Sequence, residues 1–217
     1  MGQFGGFFGK LTKMAKPCPS ENLRGVEIYR EFLNSADQMA VVQSLGIVAQ
    51  KAPFLQPVTP WGRPMSVHMT SAGSFGWVSG PKGYAYSRTH PSGPDWPAVP
   101  AKILEIWAKV SGSLRLPECC LVNFYGQGAR MGMHQDRDEA DFGEPVVSLS
   151  LGDEGLFRVG NLTRGGKTAS TWLRSGDVVV MGGQARLLYH GIDRIRFGSS
   201  SLLPKHGRIN VTLRVVT

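Results

Sequence analysis

From residue 119 to the C-terminus the chain is a succession of short β-rich runs, and this constrains the fold more than any other feature. The runs are 119–125, 129–134, 146–151, 156–160, 169–173, 177–181, 186–190 and 207–216, with Gly-containing turns between many of them. Short strands with an apolar face need a second sheet to cover them. About eight of them at regular spacing point to an all-β barrel or jelly roll. Two upstream segments have helical periodicity. One spans 35 to about 50, starts behind Asn34 or Ser35 and places Met39, Val42, Leu45 and Val48 on one side. The other spans 98–111, carries Ile103, Leu104, Trp107 and Val110, and ends at Gly112. Both are expected to pack outside the barrel.

Residues 57–97 are broken by Pro, Gly and Ser. Met65–Met69 and Tyr84–Tyr86 read there as hairpin strands, and the region reads as a cover over a site carried by the barrel. With 217 residues and 41% hydrophobic content, one domain can use residues 21–217, with 119–217 as the jelly-roll core. Residues 1–20 read as a basic, mobile tail: Lys10, Lys13 and Lys16 follow the Gly/Phe cluster, the wrong order for a secretory signal, and Gly6 stands where myristoylation needs Ser or Thr. No apolar run is long enough to cross a bilayer, so no membrane partner is expected. Three cysteines without a framework, Cys18, Cys119 and Cys120, fit a reducing compartment, and a cytoplasmic location is expected. A net charge of +8 suits a polyanionic partner, and Arg194, Arg196, Lys205, His206 and Arg208 lie close enough in sequence to form a basic patch. No heptad seam implies more than a monomer.

Three residue sets carry chemistry. In Met131–Asp136 the residues alternate as in a strand, so His134 and Asp136 project to one face. His190, closing the run 186–190, supplies a third donor. Two imidazoles and one carboxylate on one face of a metal form the arrangement used by non-haem iron(II) oxygenases, with the opposite positions open. The H-x-D pair alone is a weak motif, and taken singly these residues also read as a polar strand residue and a core histidine. The second set is the strand Arg208–Arg214. One face carries Ile209, Val211 and Leu213, and the other carries Arg208, Asn210, Thr212 and Arg214. Two arginines on a buried face need anions, and a dicarboxylate would serve both. A solvent-facing edge strand is the alternative. Third, Asn123 and Tyr125 share a strand face and can hydrogen-bond a carboxylate or keto oxygen.

Taken together, Asn123-Phe-Tyr125, His134-Gln-Asp136-Arg-Asp138-Glu139, Ser148-Leu-Ser-Leu-Gly152, Gly176-Asp-Val-Val-Val180, Tyr189-His190-Gly191 and Arg208-Ile-Asn-Val-Thr-Leu-Arg214 resemble the AlkB family of nucleic-acid repair dioxygenases. The likeness is greatest to its bacterial type and runs from about residue 57 to 214. It implies a mainly β fold with a double-stranded β-helix core. It implies iron(II) on His134, Asp136 and His190, and 2-oxoglutarate on Asn123, Tyr125, Arg208, Asn210 and Arg214, with Arg208 on the distal carboxylate and Arg214 nearer the metal. Trp77 and Tyr84 match base-contacting aromatics, with Tyr86 further along the same strand, and Asp138 and Arg164 match other substrate contacts. A cationic methylated base suits aromatic faces and a carboxylate.

The implied reaction is oxidative demethylation of 1-methyladenine and 3-methylcytosine type bases in single- or double-stranded DNA, with RNA as a further substrate. It uses 2-oxoglutarate and O2 and releases succinate, CO2 and formaldehyde. Two rival readings remain: a same-fold oxygenase acting on protein or a small molecule, and a non-catalytic single-strand-binding module. The chain departs from the bacterial type at Met181, where tryptophan is common, and at Trp61-Gly-Arg-Pro64.

Overall fold

The computed structural model describes residues 15–80 and 83–217. In chain order its elements are β1 (Glu21–Leu23), β2 (Val26–Tyr29), α1 (Ser35–Lys51), β3 (Val67–Gly73), β4 (Gly76–Gly80), β5 (Gly83–Ser87), α2 (Ala101–Val110), β6 (Cys119–Tyr125), β7 (Met131–His134), β8 (Val146–Gly152), β9 (Glu154–Val159), β10 (Ala169–Leu173), β11 (Val178–Met181), β12 (His190–Arg196) and β13 (Arg208–Arg214).

Two antiparallel sheets face each other as a jelly roll. The larger runs β1-β2-β11-β8-β13-β6-β3, the smaller β10-β9-β12-β7, and β4-β5 form a separate hairpin. β13 is the key strand. It lies between β8 and β6, and all seven of its residues are buried. Because strand side chains alternate, it serves two environments. Ile209, Val211 and Leu213 join the core cluster that includes Val41, Leu45 and Val48 of α1 and Ile103, Ile106, Trp107 and Val110 of α2. Arg208, Asn210, Thr212 and Arg214 point the other way, into the space between the sheets, where apolar partners such as Phe157, Val159 and Ile192 come from the smaller sheet. The helices thus seal one face of the large sheet and leave the other to build a polar-lined cup.

The structure bears out the jelly-roll expectation and revises several elements. α1 is capped as expected, Asn34 Oδ1 accepting the Asp37 N–H at 2.8 Å. Its buried stripe, however, is Val41, Leu45 and Val48, and Met39 is 54% exposed. Apolar residues lie on two adjacent sides of this helix, so spacing alone does not choose between them. Residues 65–69 belong to no hairpin: β3 begins at Val67 and is the edge of the large sheet, and the hairpin is β4–β5. The run 186–190 is not a strand. A short 3-10 turn covers Gly183–Ala185, Arg186 turns inward, and His190 opens β12 instead of closing a strand. β1 and β2 lie outside the strand runs expected from sequence. They lengthen the large sheet beyond β11. Of the basic tail, residues 1–14 lie outside the described residues. Lys16 pairs with Glu27 at 2.5 Å, and the Ser20 N–H donates to Ile28 O at 2.9 Å.

Candidate active site

The site is assembled from the inner faces of both sheets. His134 at the end of β7 and His190 at the start of β12 are directly opposite in the β7–β12 register, so strand pairing itself sets their rings 4.5 Å apart. Gly191 permits this close approach, since a Cβ there would lie 2.6 Å from Met131 O. Asp136 follows His134 by two residues and turns to the same side. His134 Nε2 is 3.7 Å from Asp136 Oδ1, His190 Nε2 is 3.8 Å from Oδ2, and the three donor atoms all lie within 4.8 Å of one another.

The electrostatics fit a cation. Each histidine has its Nδ1 beside a backbone carbonyl, Gly132 O at 2.9 Å and Leu188 O at 3.0 Å. Nδ1 therefore carries the proton, and the Nε2 lone pairs face Asp136. Burial, and then the neighbouring His134, lower the His190 pKa to about 4, so its imidazole is neutral at pH 7 and free to ligate. Burial alone would raise the Asp136 pKa. Arg214, whose Nη2 lies 2.9 Å from Oδ1, and the two histidines outweigh it and hold the carboxyl well below the usual range. Asp136 Oδ2 is nonetheless buried without a hydrogen-bond partner. An ionised, buried, partnerless oxygen facing two imidazole lone pairs is what a divalent metal would satisfy.

A second set of orphaned groups lies on the large sheet. Arg208 is fully buried. Its Nη2 donates to Ser150 Oγ at 2.8 Å and its guanidinium lies 5.8 Å from the centre of the Tyr125 ring, while Nε and Nη1 have no partner among the described residues. The side chain crosses to β9 of the facing sheet, where a Cβ on Gly155 would stand 2.5 Å from Arg208 Nε. Across β13–β6, Arg208 pairs with Tyr125 and Asn210 with Asn123. Asn210 Nδ2 donates to Ser148 Oγ at 2.6 Å, and Asn123 Oδ1 is buried and free. Burial pushes the Tyr125 phenol up to about 12, so it stays protonated and can donate. A buried cation, unsatisfied donors and a retained phenol proton are complementary to a carboxylate.

One cavity of about 420 Å³ joins these groups to the hairpin. Its lining includes His134, Asp136, His190, Asn123, Tyr125, Arg208, Asn210 and Arg214, together with Trp77, Tyr84, Asp138 and Arg164. Trp77 and Tyr84 stack at 4.9 Å and 27°, and the Trp77 indole N–H donates to Asp138 Oδ2 at 3.3 Å. Arg164 lies over the Tyr189 ring at 5.1 Å. Met181 is buried in the cavity wall. Tyr86 is the one expected site residue that is not on the lining. Its hydroxyl donates inward to Glu139 Oε1 at 2.5 Å.

Glu139 went unassigned in the sequence reading. It is buried and joins four groups: Tyr86 of the hairpin, Arg186 Nη2 at 2.9 Å, Arg214 Nε at 3.3 Å and, through Arg214, the carboxylate of Asp136. Arg186 also donates to the backbone oxygens of Asp136 and Glu144, at 2.6 and 2.9 Å. Replacing Glu139 with leucine removes the carboxylate paired with buried Arg186 and one of the two paired with buried Arg214, and a loss of roughly 3–5 kcal/mol is expected in urea unfolding, with partial recovery in Glu139→Gln. Equal stability of the leucine variant and the wild type would show that the network is not holding the site together. The only sequence signal was the density of acidic residues after His134.

Fold and site define the class, a mononuclear iron oxygenase that uses 2-oxoglutarate. Residues 25–214 match the family described as the 2OG-Fe(II) oxygenase superfamily. The chain is 47% identical to an alpha-ketoglutarate-dependent dioxygenase AlkB homolog of Caulobacter vibrioides, over 94% of this chain and 92% of that one. It is 38% identical to alpha-ketoglutarate-dependent dioxygenase AlkB of Escherichia coli, over 92% and 94%. Among solved structures, that of OsALKBH1 superposes with a TM-score of 0.77 at 29% identity, covering 90% of this chain and all of the other. The chain belongs to the AlkB family of this superfamily.

Proposed function

We propose that this protein removes alkyl groups from nucleobase ring nitrogens by oxidation, with His134, Asp136 and His190 holding iron(II) and Arg208, Asn210, Arg214, Asn123 and Tyr125 holding 2-oxoglutarate. One observation carries the reading: a single cavity brings the three metal donors, two buried arginines and the stacked Trp77–Tyr84 pair together. The relatives' names agree on a nucleic-acid substrate, although that of a DNA N(6)-methyladenine demethylase of Arabidopsis thaliana, 32% identical, refers to the exocyclic amine and not to a ring nitrogen.

Bound iron(II), 2-oxoglutarate and O2 would supply the oxidising power for a C–H bond of the methyl group, one oxygen atom ending in succinate and the other in formaldehyde, with release of CO2. The chain's own residues do the rest. Arg208, oriented by its hydrogen bond to Ser150, holds one carboxylate of 2-oxoglutarate, and the protonated Tyr125 donates to it. Arg214 holds Asp136 ionised. Trp77 and Tyr84 offer aromatic faces to a base turned out of its stack, and Asp138 beside Trp77 offers negative charge to a base made cationic by methylation. Met131, Leu173, Val179, Met181 and Ile192 exclude water around the reacting carbon.

The unit proposed to do this is 21–217, with 57–97 as the recognition cover. A net charge of +8 favours DNA or RNA over an acidic or neutral small substrate. The same reading takes the protein as a cytoplasmic monomer, in keeping with the free thiols of Cys119 and Cys120, both of them buried. Mixing protein, iron(II), 2-oxoglutarate and oligonucleotides carrying 1-methyladenine or 3-methylcytosine should release succinate and formaldehyde in equal amounts. Consumption of 2-oxoglutarate with a methylated peptide and none of these bases would instead establish the protein-directed reading.

A further inference from the structure

The cavity rim carries a side chain that neither the metal site nor the cosubstrate site uses. Trp61 is 83% exposed, the highest value for any large apolar residue among the described residues. Water is a poor environment for a whole indole ring, so such exposure is unusual. The segment that presents it is well built. Val58 and Pro64 form a β-bridge, Thr59 N–H donates to Arg63 O at 2.8 Å, and Gly62 N–H donates back to Thr59 O at 2.9 Å. Gly62 takes φ +76°, which closes the turn and turns Trp61 outward. Ser79 of β4 donates to Val58 O, which fixes the turn to the same hairpin that carries Trp77. Trp61 itself reaches the cavity lining, so the indole stands at the mouth through which a base would enter.

Charge indicates what meets it. Arg137 is part of the cavity lining and Arg63 belongs to the turn that carries Trp61; both are exposed, and neither is in an ion pair among the described residues. An exposed aromatic near exposed cations, at the mouth of a cavity that also holds the stacked Trp77–Tyr84 pair, fits a nucleic acid: guanidinium groups meet phosphates and the ring meets a base face. Moving a base into the cavity leaves a gap in the stack it came from and an unpaired partner opposite. An aromatic wedge that fills such a gap offsets part of the lost stacking.

We propose that Trp61 is a stacking wedge, which occupies the place vacated by the extruded base and thereby equips the enzyme to act on duplex DNA. The proposal rests on the demethylation reading above. It concerns only how a paired base is reached, because a base without stacked neighbours needs no wedge.

The test uses the full chain loaded with iron(II) and 2-oxoglutarate, on one 1-methyladenine presented in a trinucleotide and in a complementary duplex. Trp61→Ala is expected to lower kcat/KM on the duplex by about five- to a hundredfold, the range that one base–aromatic stack is worth. The trinucleotide should be turned over as before, and Trp61→Phe should recover most of the duplex activity. Unchanged duplex turnover in Trp61→Ala would overturn the proposal. So would equal losses on duplex and trinucleotide, which would make Trp61 part of the base pocket, or a loss of self-association with duplex turnover intact, which would assign the indole to a second copy of the chain. No formaldehyde from any methylated substrate with the wild type would instead overturn the demethylation reading, and the wedge with it.

Discussion

Asp136→Ala protein should fold, bind little iron and release formaldehyde at a rate lower by about a thousandfold or more. The size follows from what the carboxylate does. It is the only anionic member of the trio, and its Oδ2 has no hydrogen-bond partner among the described residues. A bound metal contributes several kcal/mol to a barrier, and each ~1.4 kcal/mol is tenfold in rate. The neighbourhood should survive, because Arg214 keeps Glu139 as a counter-ion at 3.3 Å when Asp136 is gone. Asp136→Asn separates charge from shape: it keeps the volume and loses the anion, and it should bind manganese(II) or cobalt(II) weakly in a direct titration while staying near wild type in thermal unfolding. Turnover by the alanine variant at the wild-type rate would remove Asp136 from the metal site.

How far the sequence revealed this depended on whether the deciding interaction was local. The two faces of β13 were legible because strand periodicity is strict, with three apolar residues on one side and four donors on the other; that the donor face is buried and not a solvent-facing edge became evident only in the assembled sheets. His134 and Asp136 were legible for the same reason. His190 was legible as a residue but not as an element. The apolar stretch before it reads as a strand, whereas Arg186 is drawn into contact with Glu139 and bends the chain into a turn. That His134 and His190 are cross-strand partners depends on pairing register between distant segments, which spacing does not encode. Tyr84 and Tyr86 share a hairpin face by alternation, yet they sit at different depths: Tyr84 stacks on Trp77, and the deeper Tyr86 meets Glu139. Glu139 illustrates the limit most clearly. A carboxylate in an acidic run reads as a solvated charge, and only the assembled fold puts it among two arginines and a phenol.

Arg208→Met gives a second large effect, with opposite signs in two measurements. In the protein without cosubstrate, Arg208 is a fully buried cation with one side-chain acceptor, Ser150, and burial lowers its pKa below the ordinary arginine value. Such a group costs stability, and replacing a buried, poorly compensated charge by an apolar side chain of similar length is commonly neutral or stabilising by ~1–4 kcal/mol. For a chain of this size each kcal/mol moves Tm by about 2–4 °C, so the variant should melt a few degrees above the wild type when 2-oxoglutarate is absent. Adding the dicarboxylate reverses the order. Wild-type Tm should climb, since ligand at about a hundred times Kd contributes ~2.7 kcal/mol, while the variant should not respond. Its KM for 2-oxoglutarate should rise by about thirtyfold or more, because truncating one partner of a buried charged pair costs roughly 2–5 kcal/mol. The crossing of the two melting curves distinguishes a binding group from a structural one. A structural arginine lowers Tm in both conditions when removed, and its variant still responds to 2-oxoglutarate. A variant that is less stable without the dicarboxylate and equally stabilised by it would mean that Arg208 holds the sheets together and that the carboxylate binds elsewhere in the cup.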